Sequence, residues 1–250
     1  VDHHEVKEAG KKTKYFNPRV QDPEEYSPVA YWCYKVVETD IWIAAVGCIG
    51  DNFLPPFLDE LAEKYPFLVK KPYGSLEKIK YHSKLGKLND IFSLILKGPT
   101  SKVMNCVKIL TRIDNPEELL KGKTSRAGYV LKHYKKIRDA YDEILDESKK
   151  VKPSDNMYVF IYKSSKISVT KDLANELAYK YPKKLVIVGR EKSGEIKMSL
   201  RYDVKPLPPI LEKALSGLKG YGGGHPTTCG ACVAVEDFEE FLNRLKKEVK

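Results

Sequence analysis

Residues 222–235, GGGHPTTCGACVAV, decide the fold of the last part of the chain. The run of small residues at 228–235 predicts a β-strand. The glycines before it can adopt backbone angles that are closed to other residues, which would expose amide groups to an anion. His225 could donate a hydrogen bond to the same anion. Because glycine triplets are also common in flexible loops, the anion site is inferred from the triplet, His225 and the small residues together.

The sequence around this stretch alternates between strand and helix periods. We predict strands at 157–162, 184–188 and 196–202 and helices at 171–180, 207–218 and 238–249. The polar segment 147–156, which contains a proline, is the best candidate for a domain boundary. A second α/β domain is therefore expected after this boundary.

The first half of the chain contains one very apolar stretch, IWIAAVGCI at 41–49. Its length and continuity fit a buried strand or a buried helix. Asp51 follows at its end, where ligands of α/β proteins gather, although a lone aspartate is also typical of a turn or helix cap. A short amphipathic helix is predicted at 57–65, and residues 76–150 have a mainly helical pattern.

Composition limits the classes of protein to which the chain can belong. It has 250 residues, of which 42% are hydrophobic and 31% charged, and its net charge is +10. This charge would attract polyanions, although a lysine-rich proteome explains it equally well. The sequence contains no apolar run of membrane-spanning length, no signal peptide and an odd number of cysteines, five. We therefore expect a cytoplasmic protein with free thiols and no membrane partner.

Asp2-His3-His4 places a carboxylate beside two imidazoles, a combination that suits a divalent metal, although such a segment is also typical of a tag remnant or a solvated tail. Together with Gly50-Asp51, this triplet resembles the third and fourth motifs of the DHH phosphoesterase superfamily, which contains RecJ-like exonucleases and nanoRNases. Residues 222–231 resemble the signature of the DHH-associated domain of the same proteins. The resemblance covers essentially the whole chain and is closest in character to archaeal RecJ-like proteins.

The resemblance implies an α/β fold in three parts. Residues 1–95 would be the remainder of a parallel-sheet DHH domain, 96–152 a helical connector, and 153–250 a smaller, mixed α/β, substrate-binding domain. Superfamily members carry two further aspartate motifs before the DHH triplet. We therefore expect the chain to be a fragment of a longer protein. The alternatives are that a partner supplies the missing half of the metal site or that the chain has no phosphoesterase activity.

The resemblance also implies roles for individual residues. His3 would bind one metal ion directly, and Asp51 would bind or bridge a pair of ions, with Mn²⁺ expected and Mg²⁺ as the alternative. His4 would contact the phosphate, and Asp2 would orient an imidazole. A water made acidic by the ions would then attack phosphorus.

In the C-terminal domain the resemblance implies a substrate clamp made of Gly222, Gly223, Gly224 and His225. Arg201 matches the family's strand arginine, whose guanidinium suits the same phosphate, although an ordinary exposed strand residue is the simpler interpretation. Arg190 is a weaker candidate for this role. Tyr221 directly precedes the triplet and is the tyrosine to watch for base stacking.

Cys229 and Cys232 have the spacing of a redox pair or of half a zinc site. The sequence has no second pair, so we expect buried thiols that act as small hydrophobic residues.

The function expected from the resemblance is metal-dependent hydrolysis of phosphodiester bonds in single-stranded DNA or RNA or in short oligonucleotides. One alternative is a non-catalytic nucleic-acid-binding subunit of a replication complex. Another is a phosphodiesterase of cyclic dinucleotides or oligonucleotides. A replication-complex partner and a homodimer both stay open as the assembled state.

Overall fold

The protein is described by a computed structural model that covers residues 1–3, 6, 14–163 and 167–249. The chain divides into two compact units, 1–134 and 135–250. The predicted boundaries at 95/96 and 152/153 stay predictions. Within the described ranges, every helix is too short or too polar to cross a membrane.

The described residues of the N-terminal unit form helices and no strand. After a short 3₁₀ helix, Pro18–Val20, come α1 (Val29–Val37), α2 (Ile41–Gly50), α3 (Leu58–Lys64), α4 (Leu76–His82), α5 (Lys84–Ile95), α6 (Thr100–Leu110), α7 (Pro116–Lys121) and α8 (Ser125–Ser148), which continues into the second unit. The helices predicted at 57–65 and across 76–150 are thus present.

The apolar stretch at 41–49 is a buried helix, α2, and not a strand. Seven of its ten residues are buried, among them Trp42, which contacts Phe92 of α5 at a ring-centroid distance of 5.8 Å. A helix that packs against neighbours on several sides needs apolar residues all round, so no amphipathic period marks it in the sequence. Gly47 allows α1 to approach closely, because a Cβ there would lie 2.5 Å from the Cβ of Ala30.

The C-terminal unit is a mixed sheet with helices, which confirms the α/β class. Its strands are β1 (Met157–Lys163), β2 (Leu185–Lys192), β3 (Glu195–Arg201), β4 (Gly220–His225) and β5 (Thr228–Ala234), and its helices after α8 are α9 (Thr170–Lys180), α10 (Leu207–Leu215) and α11 (Phe238–Glu248), preceded by a 3₁₀ turn at Val235–Asp237. The spatial order is β1-β2-β3-β5-β4, with β1 and β2 parallel and the other pairs antiparallel.

The two faces of this sheet are covered differently. One face is closed by α10 and α11, whose Leu211 and Phe241 pack with strand residues such as Met198 and Ala231 in the core. The other face is covered by α9 over β2 and β3. On the neighbouring strands β4 and β5, Gly223 and Gly230 are exposed. The edge of the sheet therefore presents an accessible surface beside α9.

The glycine triplet lies in a strand, whereas no strand was predicted at these residues. Gly222, Gly223 and Gly224 pair with Ala231, Gly230 and Cys229 of β5. Glycine carries no side chain from which a strand period could be read, so the partner strand decides its conformation.

Candidate functional site

The described part of the DHH triplet is attached to the start of α1. His3 accepts a hydrogen bond at Nδ1 from the backbone N–H of Val29, at 3.1 Å. The backbone N–H of Asp2 donates to the carbonyl oxygen of Phe16 at 2.9 Å, and its carboxylate accepts from the hydroxyl of Tyr15 at 3.3 Å. In the structure these two residues are therefore fixed by hydrogen bonds to later parts of the chain and do not form a solvated tail. His4, the predicted phosphate contact, lies outside the described residues.

Asp51 directly follows α2, whose last turns pack against the start of α1. Its backbone N–H bonds to the carbonyl oxygen of Gly47 at 3.2 Å, and Gly47 packs against Ala30, the neighbour of Val29. Because Val29 also donates to His3, a continuous series of contacts joins His3 to Asp51. Both residues thus belong to the same end of the α1–α2 pair.

The described residues do not make a complete metal site. Within the described ranges, no group of three or more His, Cys, Asp or Glu side chains is arranged to hold an ion. The bond from Val29 uses the lone pair on Nδ1 of His3, which puts the ring proton of a neutral imidazole on Nε2. His3 would have to give up this contact to bind a metal, so the donors present fit an ion only in part.

Burial also determines the chemistry of the thiol beside Asp51. Burial, with a smaller effect from the negative charge of Asp51, raises the pKa of Cys48 to about 12. The Cys48 thiol therefore stays protonated at neutral pH in the folded chain.

In the C-terminal unit, Arg201, Thr228 and His225 form one row across three strands. Arg201 of β3 pairs with Thr228 of β5, and Thr228 pairs with His225 of β4. Directly paired residues face the same side of a sheet, and neighbouring strands lie about 4.8 Å apart, so the Cα atoms of Arg201 and His225 are roughly 10 Å apart. A guanidinium, a hydroxyl and an imidazole therefore share one side of the sheet.

The guanidinium of Arg201 is oriented by its neighbours. Nε donates to Oδ1 of Asn175 on α9 at 2.6 Å, and Nη1 donates to the carbonyl oxygen of Leu200 at 2.7 Å. Ser199, two residues earlier on the same strand face, lies 3.3 Å from the hydroxyl of Thr170 at the start of α9. The sequence did not predict a role for Asn175, Ser199 or Thr228, because their proximity depends on the strand register and on the position of α9.

The glycines beside this row have two structural roles. A Cβ on Gly222 would lie 2.9 Å from the carbonyl oxygen of Gly230 and from Leu211, and one on Gly224 would lie 2.4 Å from the carbonyl oxygen of Thr228. Gly223 has nothing within 4 Å of its Cβ position. Gly222 and Gly224 thus permit close packing on the covered face, while Gly223 leaves the accessible face flat.

Arg190 faces the same side of the sheet through its pairing with Lys197. Its side chain is half-buried, and within the described part of the chain its buried Nε has no hydrogen-bond partner. Its partner Lys197 is two residues from Ser199 and four from Arg201 on β3. Arg190 is therefore further from His225 than Arg201 is. Arg190 is therefore placed at the periphery of the row.

Cys229 and Cys232 do not face each other. They are three residues apart on β5, and successive strand residues alternate between faces, so their side chains lie on opposite sides of the sheet. Both are buried, and burial raises the pKa of each thiol. This arrangement fits the prediction of small buried thiols and excludes a shared metal ion or a mutual disulfide in this fold.

The N-terminal unit also contains a cavity of about 600 Å³ between α1 and α3. Its walls include three carboxylates, those of Glu38, Asp59 and Glu60, against one cation, Lys35. Because like charges repel, this cavity is unsuited to a phosphate group.

Comparisons with known proteins agree with this fold. Residues 155–250 match the DHHA1 domain family. The whole chain superposes on RecJ of Thermus thermophilus in complex with Mn²⁺, with a TM-score of 0.62, 15% identity and 99% of this chain covered. The complex of the same protein with Mg²⁺ gives a TM-score of 0.56, 15% identity and 92% coverage.

The DHH domain of a member of a family of ribosomal proteins also has this fold, with a TM-score of 0.52, 15% identity, and coverage of 93% of this chain and 57% of that one. The chain spans 39–40% of the length of the two RecJ chains. No curated protein sequence matches it significantly. The DHHA1 match and the RecJ-like fold confirm the resemblance to the DHH superfamily, while its archaeal character stays a prediction.

Proposed function

We propose that this DHH-superfamily chain, with its C-terminal DHHA1 domain, is the substrate-gripping part of a metal-dependent phosphodiesterase. Its substrates would be single-stranded nucleic acids or short oligonucleotides. The observation that carries the proposal is the row of Arg201, Thr228 and His225 beside the flat glycine surface at Gly223.

The row has the chemistry that a phosphodiester requires. A guanidinium donates two parallel hydrogen bonds to phosphate oxygens, and a hydroxyl and an imidazole N–H add further donors. Because Asn175 and Leu200 already orient Arg201, little side-chain entropy is lost when a phosphate binds. The net charge of +10 would favour the approach of a polyanion.

The catalytic half of the proposal concerns the end of the α1–α2 pair. We propose that His3 and Asp51 contribute to a site for Mn²⁺ or Mg²⁺, with Asp2 and His4 beside them. The described residues do not complete the site by themselves, and in this proposal a longer polypeptide or a partner supplies further donors. The crystal structures of Thermus thermophilus RecJ with Mn²⁺ and Mg²⁺ support the choice of ions.

Binding to the 250-residue chain tests the gripping role. We expect Arg201→Ala and His225→Ala to weaken binding of a labelled oligonucleotide in fluorescence anisotropy, each by about tenfold, the effect of losing one charge-assisted hydrogen bond of ~1.5 kcal/mol. Arg244→Ala is the matched control, since Arg244 lies on α11 and bonds to Glu240. Equal affinity of Arg201→Ala, His225→Ala and the unchanged chain would contradict the assignment.

Hydrolysis needs a separate experiment. A polypeptide that includes the upstream coding region should release mononucleotides from single strands with Mn²⁺, and His3→Ala or Asp51→Ala should abolish this. Arg201→Ala should leave the Mn²⁺ content unchanged, as measured by equilibrium dialysis. Oligonucleotide binding without hydrolysis in the longer polypeptide would favour the non-catalytic nucleic-acid-binding alternative.

A further inference from the structure

A second row of side chains crosses the accessible face of the sheet, parallel to the first. Tyr221 of β4 pairs with Cys232 of β5, Cys232 pairs with Lys197 of β3, and Lys197 pairs with Arg190 of β2. Tyr221 is four residues from His225 on the same strand, so the two side chains lie on the same face. The second row therefore belongs to the same surface as the first.

Tyr221 lies at the solvent-facing end of this row. It is 66% exposed. Burial raises the pKa of the neighbouring Cys232 thiol, and a hydrogen bond from the Tyr221 side chain opposes that shift. The ring thus lies beside a buried thiol, and most of its surface is open to solvent. Such a ring can stack on a nucleobase without selecting its identity.

Lys197 adds a cation next to this ring. Its side chain is 60% exposed and lies 3.7 Å from the carboxylate of Glu195, which is 51% exposed. An exposed ion pair of this length contributes little stability. The ammonium group can therefore exchange Glu195 for a phosphate at small cost.

The surface between the two rows is flat. The intervening level consists of Ser199, Gly230 and Gly223, and the two glycines carry no side chain. At about 3.3 Å per residue, the four residues from His225 to Tyr221 span roughly 13 Å. This distance exceeds the spacing of adjacent phosphates on one strand, so a ligand that places a phosphate at each row must be longer than a dinucleotide.

We propose that Tyr221 and Lys197 form a second subsite, which holds a base and a phosphate of a single-stranded nucleic acid whose other phosphate lies at Arg201 and His225. The inference rests on the proposed function and deepens it, because it assigns extended strands and not dinucleotides as the preferred substrate class.

The test compares two oligothymidylates, a dinucleotide and one of about ten residues, a length within the range that single-strand binding folds cover. Binding to the 250-residue chain is measured by fluorescence anisotropy with EDTA present, so that hydrolysis cannot shorten the probe. We expect the longer strand to bind about tenfold more tightly or better. Tyr221→Ala should lower the affinity for the longer strand about tenfold, since stacking on one ring contributes about this factor. The same variant should leave the affinity for the dinucleotide unchanged.

Three further variants make the test specific. Tyr221→Trp should keep the preference for the longer strand, because tryptophan also stacks. Lys197→Gln should weaken binding of the longer strand and reduce the salt dependence of this binding by about one phosphate contact. Tyr179→Ala is the matched control, as this tyrosine on α9 is 46% exposed. Unchanged melting temperatures establish that the variants are folded.

The outcomes separate this inference from the proposed function. If Tyr221→Ala keeps the preference of the unchanged chain for the longer strand, or loses affinity for both ligands equally, the second subsite is refuted. The proposed phosphate site at Arg201 and His225 is not affected by this outcome. If the unchanged chain binds the dinucleotide and the longer strand equally well, only the second subsite is refuted. If it binds neither, both proposals are refuted.

Discussion

Gly224→Ala should destabilise the C-terminal unit because two effects oppose a side chain there. Gly224 has φ +152°, a conformation that residues with a Cβ rarely adopt, and this strain costs ~1–3 kcal/mol. An added Cβ would lie 2.4 Å from the carbonyl oxygen of Thr228 and 2.8 Å from the Cα of Cys229, both of which are backbone atoms. Overpacking of this kind costs a further ~1–3 kcal/mol. We therefore expect a loss of about 4 kcal/mol in the free energy of unfolding.

Urea denaturation followed by far-UV circular dichroism measures this loss. Gly223→Ala is the control one residue away, because its Cβ would have nothing within 4 Å. It should unfold at the same urea concentration as the unchanged chain or slightly higher, since alanine has less unfolded-state entropy to lose. A loss below about 1 kcal/mol for Gly224→Ala, or equal losses for the two variants, would refute the register of β4 against β5, and with it the alignment of His225 and Arg201.

Two further predictions concern the N-terminal unit. Ellman's reagent near pH 8 should modify the exposed Cys33 in a fast phase that Cys33→Ser removes. Cys48, which is buried and whose pKa is raised to about 12, should react slowly. A fast phase that survives Cys33→Ser would contradict the burial of the other four thiols. Hydrogen bonds from Arg126 and Thr124 lower the pKa of Glu118 from 4.5 to about 2, so the stability that this carboxylate adds is present above about pH 4.5 and lost as the pH falls towards 2. The difference in melting temperature between Glu118→Gln and the unchanged chain should therefore vanish on acidification over that range, and a constant difference would refute the role of the charge.

The sequence correctly predicted the elements whose buried and exposed side chains follow the period of a strand or of a helix. The strand predicted at 196–202 is β3, whose buried Ile196, Met198 and Leu200 alternate with more exposed residues. The helix predicted at 238–249 is α11, with Phe241 and Leu245 on its buried face. Where contacts with neighbouring elements decide the conformation, the side-chain period gave an ambiguous prediction or none. The stretch at 41–49 left two alternatives open, and no strand was predicted at β4.

The candidate site was predictable in its residue types but not in its arrangement. The resemblance pointed to Arg201 and His225, which are 24 positions apart in the sequence. Only the antiparallel pairing through Thr228 places them on one row of the sheet. The same pairing separates Cys229 from Cys232, because a shift of three residues along a strand reverses the face. Spacing in the sequence therefore has chemical meaning only once the secondary structure that carries it is known.

The hydrogen bond between His3 and Val29 occupies a nitrogen that a metal ion would need, so its strength bears on the proposed hydrolytic role of the N-terminal unit. A single hydrogen bond of this kind contributes only ~0.5–1.5 kcal/mol, so its loss would not prevent the imidazole from binding an ion. The number of donors is the stronger constraint, since a divalent ion with oxygen and nitrogen ligands needs several of them at once. Asp51 and His3 lie at one end of a helix pair whose packing at Gly47 holds that end together before any ion arrives. Additional carboxylates brought to this end would thus complete the proposed half-site. The proposed hydrolysis is therefore expected to depend on a longer polypeptide or a partner, whereas the proposed binding of nucleic acid by residues 153–250 is not.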